Sequence, residues 1–328
     1  MINLTLKQMR YFEALVRHGH FGRAAADCAI SQPALSMQIR EMEQVLGGVL
    51  FERDARQVRL TGFGEEIGPR IRDILRAVDE LEDLARAARQ GLVGRLRLGV
   101  IPTVAPYLLP DFIARLTRAH DGLDLNLRET ITPRLIGELQ AGRLDAAIVA
   151  LPVSEPALTE CPIFGEEFVL VRPLAEAGLP VPGPERLREM RLLLLEEGHC
   201  FRDQALSFCR AGGAAPRELL DGSSLSTLVQ MVGAGIGITL IPQMAVPVET
   251  RSAAVSVARF DGARPARTIG MVWRRSSPLA RQLEQVADVL RDTALALGLV
   301  PLAGPGERMQ ASPRNSEGPV SGQAEGGR

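Results

Sequence analysis

The spacing of apolar residues changes character once along this chain, near residue 92, and that change limits the folds open to it. Before it, apolar side chains recur at helical intervals: Leu6, Met9, Phe12, Leu15 and Val16, then Leu35, Ile39, Met42 and Leu46. After it, short apolar runs alternate with amphipathic stretches. These predict strands over 96–101, 125–129, 146–149, 167–171, 191–195, 238–241 and 267–273, with helices over 105–119, 133–141 and 278–297. A helical unit followed by alternating strands and helices predicts two domains, the second α/β with a parallel-sheet core. A chain of 328 residues with 46% hydrophobic content can bury more than one core.

The first sixty residues read as their own unit. Phe21 to Ala29 is a short helix lined with alanines, which let a neighbouring helix cross closely. Ser31 is a good N-cap, Pro33 suits the first turn of the next helix, and Gly47-Gly48 ends it. With Leu35, Ile39, Met42 and Leu46 facing inward, Gln32, Ser36 and Arg40 share another face at i, i+4, i+8. Such side chains suit base edges and phosphates. Residues 51–61 then read as a strand pair carrying Arg53, Arg56 and Arg59, suited as a wing to a DNA backbone. The order of Ala-rich helix, capped polar-faced helix and arginine wing predicts a winged helix-turn-helix.

Residues 62–91 carry Ile67, Ile71, Ile74, Leu75, Val78, Leu81, Leu84 and Ala88 at near-heptad spacing. That pattern predicts a linker helix able to pair with a second copy, in keeping with a two-half-site operator. The alternative is packing against its own domain.

Two thiols stand out in the second domain. Gly198-His199-Cys200 precedes a segment that reads as a helix and ends at Cys209. If residues 200–209 are helical, their Cα atoms lie roughly 13 Å apart on opposite faces. A disulfide tolerates at most ~7 Å, so the two could join only if the helix unwound. Phe201, Ala205 and Phe208 form an apolar face that Cys209 continues, where a thiol is a small hydrophobe. Cys200 instead sits at the helix start, where free N–H groups, His199 and Arg202 favour a thiolate. A thiolate there can attack a peroxide to give a sulfenic acid, with Cys209 the nearest thiol to trap it.

Several function classes are disfavoured. The net charge of −1 confines any DNA contact to a local patch. Four cysteines do not make a secreted disulfide framework, and the N-terminus lacks the apolar stretch of a signal peptide, so the expectation is a cytoplasmic protein with no membrane span. Gly233, Gly235 and Gly237 follow a helix and open a strand, the reverse of a dinucleotide loop, and no cofactor is expected. A zinc site from His199, Cys200 and Cys209 is opposed by the helical spacing, so no metal is expected either. Cys28, among small helical residues, and Cys161, before a proline, read as structural.

Residues 1–61 resemble the DNA-binding domain of LysR-type transcriptional regulators through Phe21-Gly22-Arg23-Ala24-Ala25, Ser31-Gln32-Pro33-Ala34-Leu35-Ser36 and Leu50-Phe51-Glu52-Arg53. Gly198-His199-Cys200 with Cys209, Ile101-Pro102-Thr103-Val104 and Arg267-Thr268-Ile269-Gly270 resemble the peroxide-sensing members of that family. The resemblance ends near residue 300; residues 301–328, poor in large apolar side chains, predict a disordered tail. It implies a mainly α winged helix-turn-helix over 1–61, a linker and dimerisation helix over 62–91, and an α/β effector domain over 92–300 resembling periplasmic binding proteins. The effector domain divides into subdomain I, 92–163 with 265–300, and subdomain II, 164–264. DNA-contacting residues are then Gln32, Pro33, Ser36, Arg40, Arg53, Arg56 and Arg59.

The resemblance further implies that Thr103 and Thr132 hold hydrogen peroxide beside Cys200, with His199 from the motif and Arg267 as the cation favouring the thiolate. Cys209 matches the resolving cysteine. Thr130 and Thr132 both flank the second position, and no motif separates them. The implied protein is a dimer that assembles to a tetramer. Its oxidised form activates transcription by contacting RNA polymerase, and a thiol reductant such as glutaredoxin or thioredoxin resets it. It is a regulator, not an enzyme. Two rivals stand beside this reading: a thiol peroxidase, which would turn over, and a LysR-type regulator of a small organic ligand with incidental cysteines.

Overall fold

Local signals in the first sixty residues produce helices with well-defined ends. In a computed structural model describing residues 3–53, 58–87, 92–187, 189–210, 218–261 and 264–301, helix α1 (Leu6–His18) opens with a capping box between Thr5 and Gln8 and stops at Gly19, φ 56°. Helix α2 (Phe21–Asp27) is capped by His20, whose Nδ1 accepts the amides of Gly22 and Arg23. Helix α3 (Gln32–Leu46) starts at Ser31, which accepts the Ala34 amide, and stops at Gly47, φ 74°. Strands β1 (Phe51–Arg53) and β2 (Val58–Leu60) pair antiparallel as the wing, Glu52 opposite Arg59. Phe12, Leu15, Leu35, Ile39, Met42 and Leu50 are fully buried at the centre of this unit. Arg56, residues 88–91 and residues 302–328 lie outside the described residues, as do the side chains of Arg53 and Cys209.

Helix α4 (Gly62–Ala87) divides its apolar positions between two tasks. Ile67, Ile71 and Leu75 pack onto the core of the first domain, whereas Ile74, Leu81 and Leu84 are 43%, 65% and 54% exposed. The first half of the helix thus covers the domain it leaves, and the second half carries exposed apolar side chains.

The second domain is built on one continuous path of strands. Its elements are β3 (Gly94–Val100), α5 (Ala105–Ala119), β4 (Leu123–Glu129), α6 (Thr132–Gln140), β5 (Ala146–Leu151), β6 (Leu158–Pro173), α7 (Pro184–Leu187), β7 (Arg191–Leu195), α8 (Cys200–Arg210), β8 (Glu218–Gly222), α9 (Leu225–Gly233), β9 (Ile238–Pro242), α10 (Val246–Glu249), β10 (Val255–Ala258), β11 (Ala266–Arg274), α11 (Ala280–Ala296) and β12 (Val300–Pro301). The order is β4-β3-β5-β11-β6-β9-β7-β8, with β10 and β12 also on β6. Strand β3 is parallel to β4 and β5, and β7 is parallel to β8 and β9; β11 and β6 join the two groups by antiparallel pairing.

Strand β6 is far longer than the 167–171 expected from apolar runs. It begins at Leu158 and passes through Cys161-Pro162. Proline is tolerated there because the β6–β11 register shifts at Ile269/Gly270, opposite Pro162. From 158 to 167 its partner is β11; from 168 onward it pairs with β9 and β10. Two apolar cores flank this strand, one around Val100, Phe112, Ile148, Phe164 and Leu290, the other around Val171, Leu193, Phe201, Leu228 and Leu240. The short strand β12 takes in Pro301, the first residue assigned to the tail, pairing it with Phe164.

One tie crosses between the cores away from the strands. Tyr107 on α5 packs into the second core and donates to Glu249 Oε1 at 2.6 Å, while Ser226 donates to Oε2 of the same carboxylate. Burial and the adjacent carboxylate push the tyrosine hydroxyl well above its ordinary pKa, so it remains a donor.

Candidate functional site

Three segments far apart in sequence meet at one narrow cleft. The turn after β3 brings Ile101, Pro102 and Thr103; the start of α6 brings Ile131 and Thr132; the loop after β7 and the first turn of α8 bring His199, Cys200 and Phe201. The cleft walls pack closely and leave no free room for a water molecule. Among these lining residues His199 and Cys200 are the two with ionisable side chains.

Gly198 makes the approach possible. Its φ of +92° is a backbone state that side chains rarely adopt, and a Cβ built there would lie 2.8 Å from Ile131 Cδ1. The loop therefore turns sharply and packs directly on the α6 start. Cys200 is the first residue of α8 and half-buried. His199 is half-buried just before it, its carbonyl accepting the Arg202 amide at 2.9 Å. Burial lowers the imidazole pKa, against an opposing pull from Glu196, so the ring is neutral at neutral pH. Because its folded-state pKa lies below the unfolded value, the neutral ring favours the folded form above the ordinary histidine range, and that contribution is lost as pH falls through it.

Of the two threonines that sequence left unresolved, Thr132 lines the cleft. Its Oγ1 is buried and has no hydrogen-bond partner. Thr103 is 2% exposed, and its Oγ1 accepts from Arg267 Nη1 at 2.8 Å. Arg267 itself does not line the cleft. It lies behind Thr103, with Nη2 also donating to the Thr103 carbonyl at 3.1 Å and Nε to Glu166 Oε2 at 2.9 Å. The rings of Phe201 and Phe168 cover the guanidinium at 5.5 and 5.9 Å. Arg202, expected beside the thiol, turns away: its Nη1 donates to the Leu195 carbonyl at 2.7 Å and to Asp221.

Helix α8 runs unbroken from Cys200 through Cys209 to Arg210. Phe201 and Ala205 are fully buried, and Phe208 packs edge-on to Phe260 with centroids 5.1 Å apart. Cys161 is buried beside Arg291, whose Nη2 lies 3.1 Å from its sulfur; burial pushes this thiol up, as it does that of half-buried Cys28. Glu166, Ile131 and Gly198 are the site residues that sequence reasoning did not assign. Gly198 alone carried a local signal, a glycine directly before the His-Cys pair.

In the first domain, Gln32 and Arg40 are exposed and Ser36 half-buried on the outer face of α3, with Pro33 in its exposed first turn. Arg59 is exposed on β2. No helix among the described residues is long and apolar enough to cross a membrane.

Residues 6–65 match the bacterial regulatory helix-turn-helix proteins of the lysR family, and residues 89–295 match the LysR substrate binding domain. The chain belongs to the LysR family of transcriptional regulators. Its membership makes it a DNA-binding regulator rather than an enzyme. Among LysR-family relatives it is 43% identical to a probable hydrogen peroxide-inducible genes activator from Streptomyces viridosporus, covering 88% of this chain and 94% of the relative. It is 40% identical to the DNA-binding transcriptional dual regulator OxyR of Escherichia coli, covering 88% and 95%. Among solved structures it is similar to a full-length cysteine-to-aspartate variant of Pseudomonas aeruginosa OxyR, at 36% identity and TM-score 0.69 over 88% of this chain and 95% of that one. It is also similar to a hydrogen-peroxide-bound cysteine-to-serine variant of Corynebacterium glutamicum OxyR, at 35% identity and TM-score 0.62 over 89% and 93%.

Proposed function

We propose that this LysR-family protein is a hydrogen-peroxide-sensing regulator of antioxidant genes, with Cys200 as its reactive thiol and Cys209 as the resolving one. The observation that carries the reading is the convergence of Thr103, Thr132, His199 and Cys200 on a single cleft containing an unpartnered buried hydroxyl. Buried polar atoms normally have partners, so Thr132 Oγ1 is placed for a small polar guest. An organic effector, whose pockets usually run to about 300–1,000 Å³, has no room in this closely packed cleft.

In this reading the Cys200 thiolate attacks one peroxide oxygen. An S–O bond forms, the O–O bond breaks, and the second oxygen leaves as hydroxide and is protonated to water. Thr103, Thr132 and His199 orient the peroxide and hydrogen-bond the leaving oxygen, while Arg267 acts from behind Thr103. Cys209 then attacks the sulfenic sulfur, forming the disulfide and releasing a second water. Sulfur supplies the two electrons, and a dithiol reductant such as glutaredoxin or thioredoxin returns them.

The same reading assigns subdomain I to 92–163 with 265–300 and subdomain II to 164–264, in the manner of periplasmic binding proteins; the two apolar cores support that division. Ile74, Leu81 and Leu84 on α4 support pairing with a second copy, and pairs associate into a tetramer. The oxidised form activates transcription through RNA polymerase, in the cytoplasm.

The test is a brief, near-stoichiometric peroxide pulse on the reduced full-length protein, followed by peptide mapping and operator footprinting. A link between Cys200 and Cys209 and a changed footprint are expected. A free Cys200 thiol after the pulse, or a link with no change in footprint, rejects the proposal.

The DNA-binding surface assigned to this regulator is Gln32, Pro33, Ser36 and Arg40 on α3, with Arg53, Arg56 and Arg59 on the wing. The Gln32→Ala, Ser36→Ala double variant is expected to change base preference at the positions it reads, each good base contact being worth about 1–3 kcal/mol. Arg59→Ala is expected to weaken all sequences evenly and shallow the log-log salt slope by about one. Retention of full operator selectivity by the double variant in a binding-site selection would refute this docking.

A further inference from the structure

The peroxide reading leaves one buried carboxylate without a role. Glu166 lies directly opposite Arg267 in the antiparallel β6–β11 pairing, and the two side chains form an ion pair at 2.8 Å with both fully buried. One carboxylate oxygen takes Arg267 Nε; the other accepts the Met244 amide at 2.9 Å, from the turn that follows β9. Arg267 is thus held on every side: Glu166 along one edge, Thr103 at the fork, and Phe168 and Phe201 beside the guanidinium.

Two physical consequences follow. A guanidinium paired this closely with a carboxylate presents little net charge to a thiol beyond Thr103, because the two fields oppose each other. A threonine hydroxyl has one proton and two lone pairs; since Thr103 Oγ1 already accepts from Arg267, its own proton points elsewhere, and the cleft is the open direction.

We propose that Glu166 is a positioning residue for the Cys200 site: it neutralises Arg267 and locks its fork, so that Thr103 faces the cleft as a fixed hydrogen-bond donor. Arg267 is then a holder of Thr103 rather than a free cation. The proposal rests on the peroxide reading for what Thr103 binds, but not for the charge balance. The other ionisable groups around Cys200 are His199, held neutral, Glu196 and Glu197 on the preceding loop, Arg202 paired with Asp221 of β8, and Asp203 on α8.

The experiment uses full-length reduced protein: wild type, Glu166→Gln, Arg267→Gln and the double variant. Two readouts are taken on the Cys200 peptide, the pH profile of alkylation by iodoacetamide and the second-order rate of oxidation by hydrogen peroxide. Glu166→Gln unmasks the guanidinium and should lower the alkylation midpoint by about half a pH unit; Arg267→Gln leaves the carboxylate alone and should raise it by about as much. The double variant should return to the wild-type midpoint yet oxidise about tenfold more slowly, since Thr103 has lost the donor that orients it. A purely structural ion pair would not give midpoint shifts of opposite sign. Single variants that both keep the wild-type midpoint overturn the proposal, and so does a double variant that oxidises at the wild-type rate. If either single variant fails to fold, the double variant decides by its oxidation rate. A wild-type Cys200 inert to peroxide would sink the peroxide reading alone, leaving the midpoint shifts to judge the charge balance.

Discussion

Cys200→Ser is expected to abolish the transcriptional response to peroxide, while Cys209→Ser still forms a sulfenic acid at Cys200 but cannot convert it into the conformational change. The reason is geometric. Both residues belong to one continuous helix, α8, whose rise places their Cα atoms roughly 13 Å apart, and a disulfide needs them within ~7 Å. Closing the bond therefore unwinds the helix. Phe201 and Ala205 leave the second core, Phe208 leaves Phe260, and Arg202 gives up the Leu195 carbonyl and Asp221. Exposing Phe201 alone costs about 1.5–3 kcal/mol, so oxidation moves the domain to a distinct packing rather than adding a staple to the existing one. Sulfenic acid trapping by dimedone, hydrogen exchange over 200–210 and a reporter from the operator measure the three stages separately. The expected pattern is no dimedone adduct in Cys200→Ser, a persistent adduct with unchanged exchange in Cys209→Ser, and loss of reporter induction in both. Full induction in Cys209→Ser would show that the disulfide is not the signal.

Arg267→Ala is expected to be among the most destabilising single changes in the second domain. It strands the Glu166 carboxylate, fully buried and left with the Met244 amide as its hydrogen bond, and it takes a donor from the equally buried Thr103. Breaking one side of a buried pair costs about 3–5 kcal/mol, because the remaining charge cannot reach water. For a domain of this size that corresponds to a fall in Tm on the order of 10 °C. Arg264, by contrast, meets Glu167 one position away, with both side chains partly in solvent, 48% and 35% exposed. Arg264→Ala should therefore change stability by less than about 1 kcal/mol. Thermal unfolding of the two variants makes the comparison internal, and equal Tm losses would mean that burial does not set the cost.

Elements governed by near neighbours were legible in the sequence. The capped start of α3 at Ser31, its stop at Gly47 and the strand pair of the wing follow from residues within one or two turns of each other. So did strand β7, helix α5 and the helical spacing between Cys200 and Cys209. Their side-chain periodicity and capping chemistry act over less than about four residues, which any reader of the chain has in view.

What the tertiary structure decided lies between segments distant in the chain. Glu166 faces Arg267 only because the β6–β11 register pairs residues 101 positions apart, and no local pattern marks that glutamate among its neighbours. Thr132 rather than Thr130 lines the cleft because α6 begins at that residue and its first turn packs against the His199 loop. Arg202, close to Cys200 in sequence, is drawn off by Asp221 on β8, and α4 divides its apolar row according to where the first domain ends beneath it. By itself the sequence determined the two domains, the family-bearing motifs and the thiol pair; the fold decided which charges are compensated and which hydroxyls face the cleft, because register and packing, not spacing, set the partners of a buried polar group.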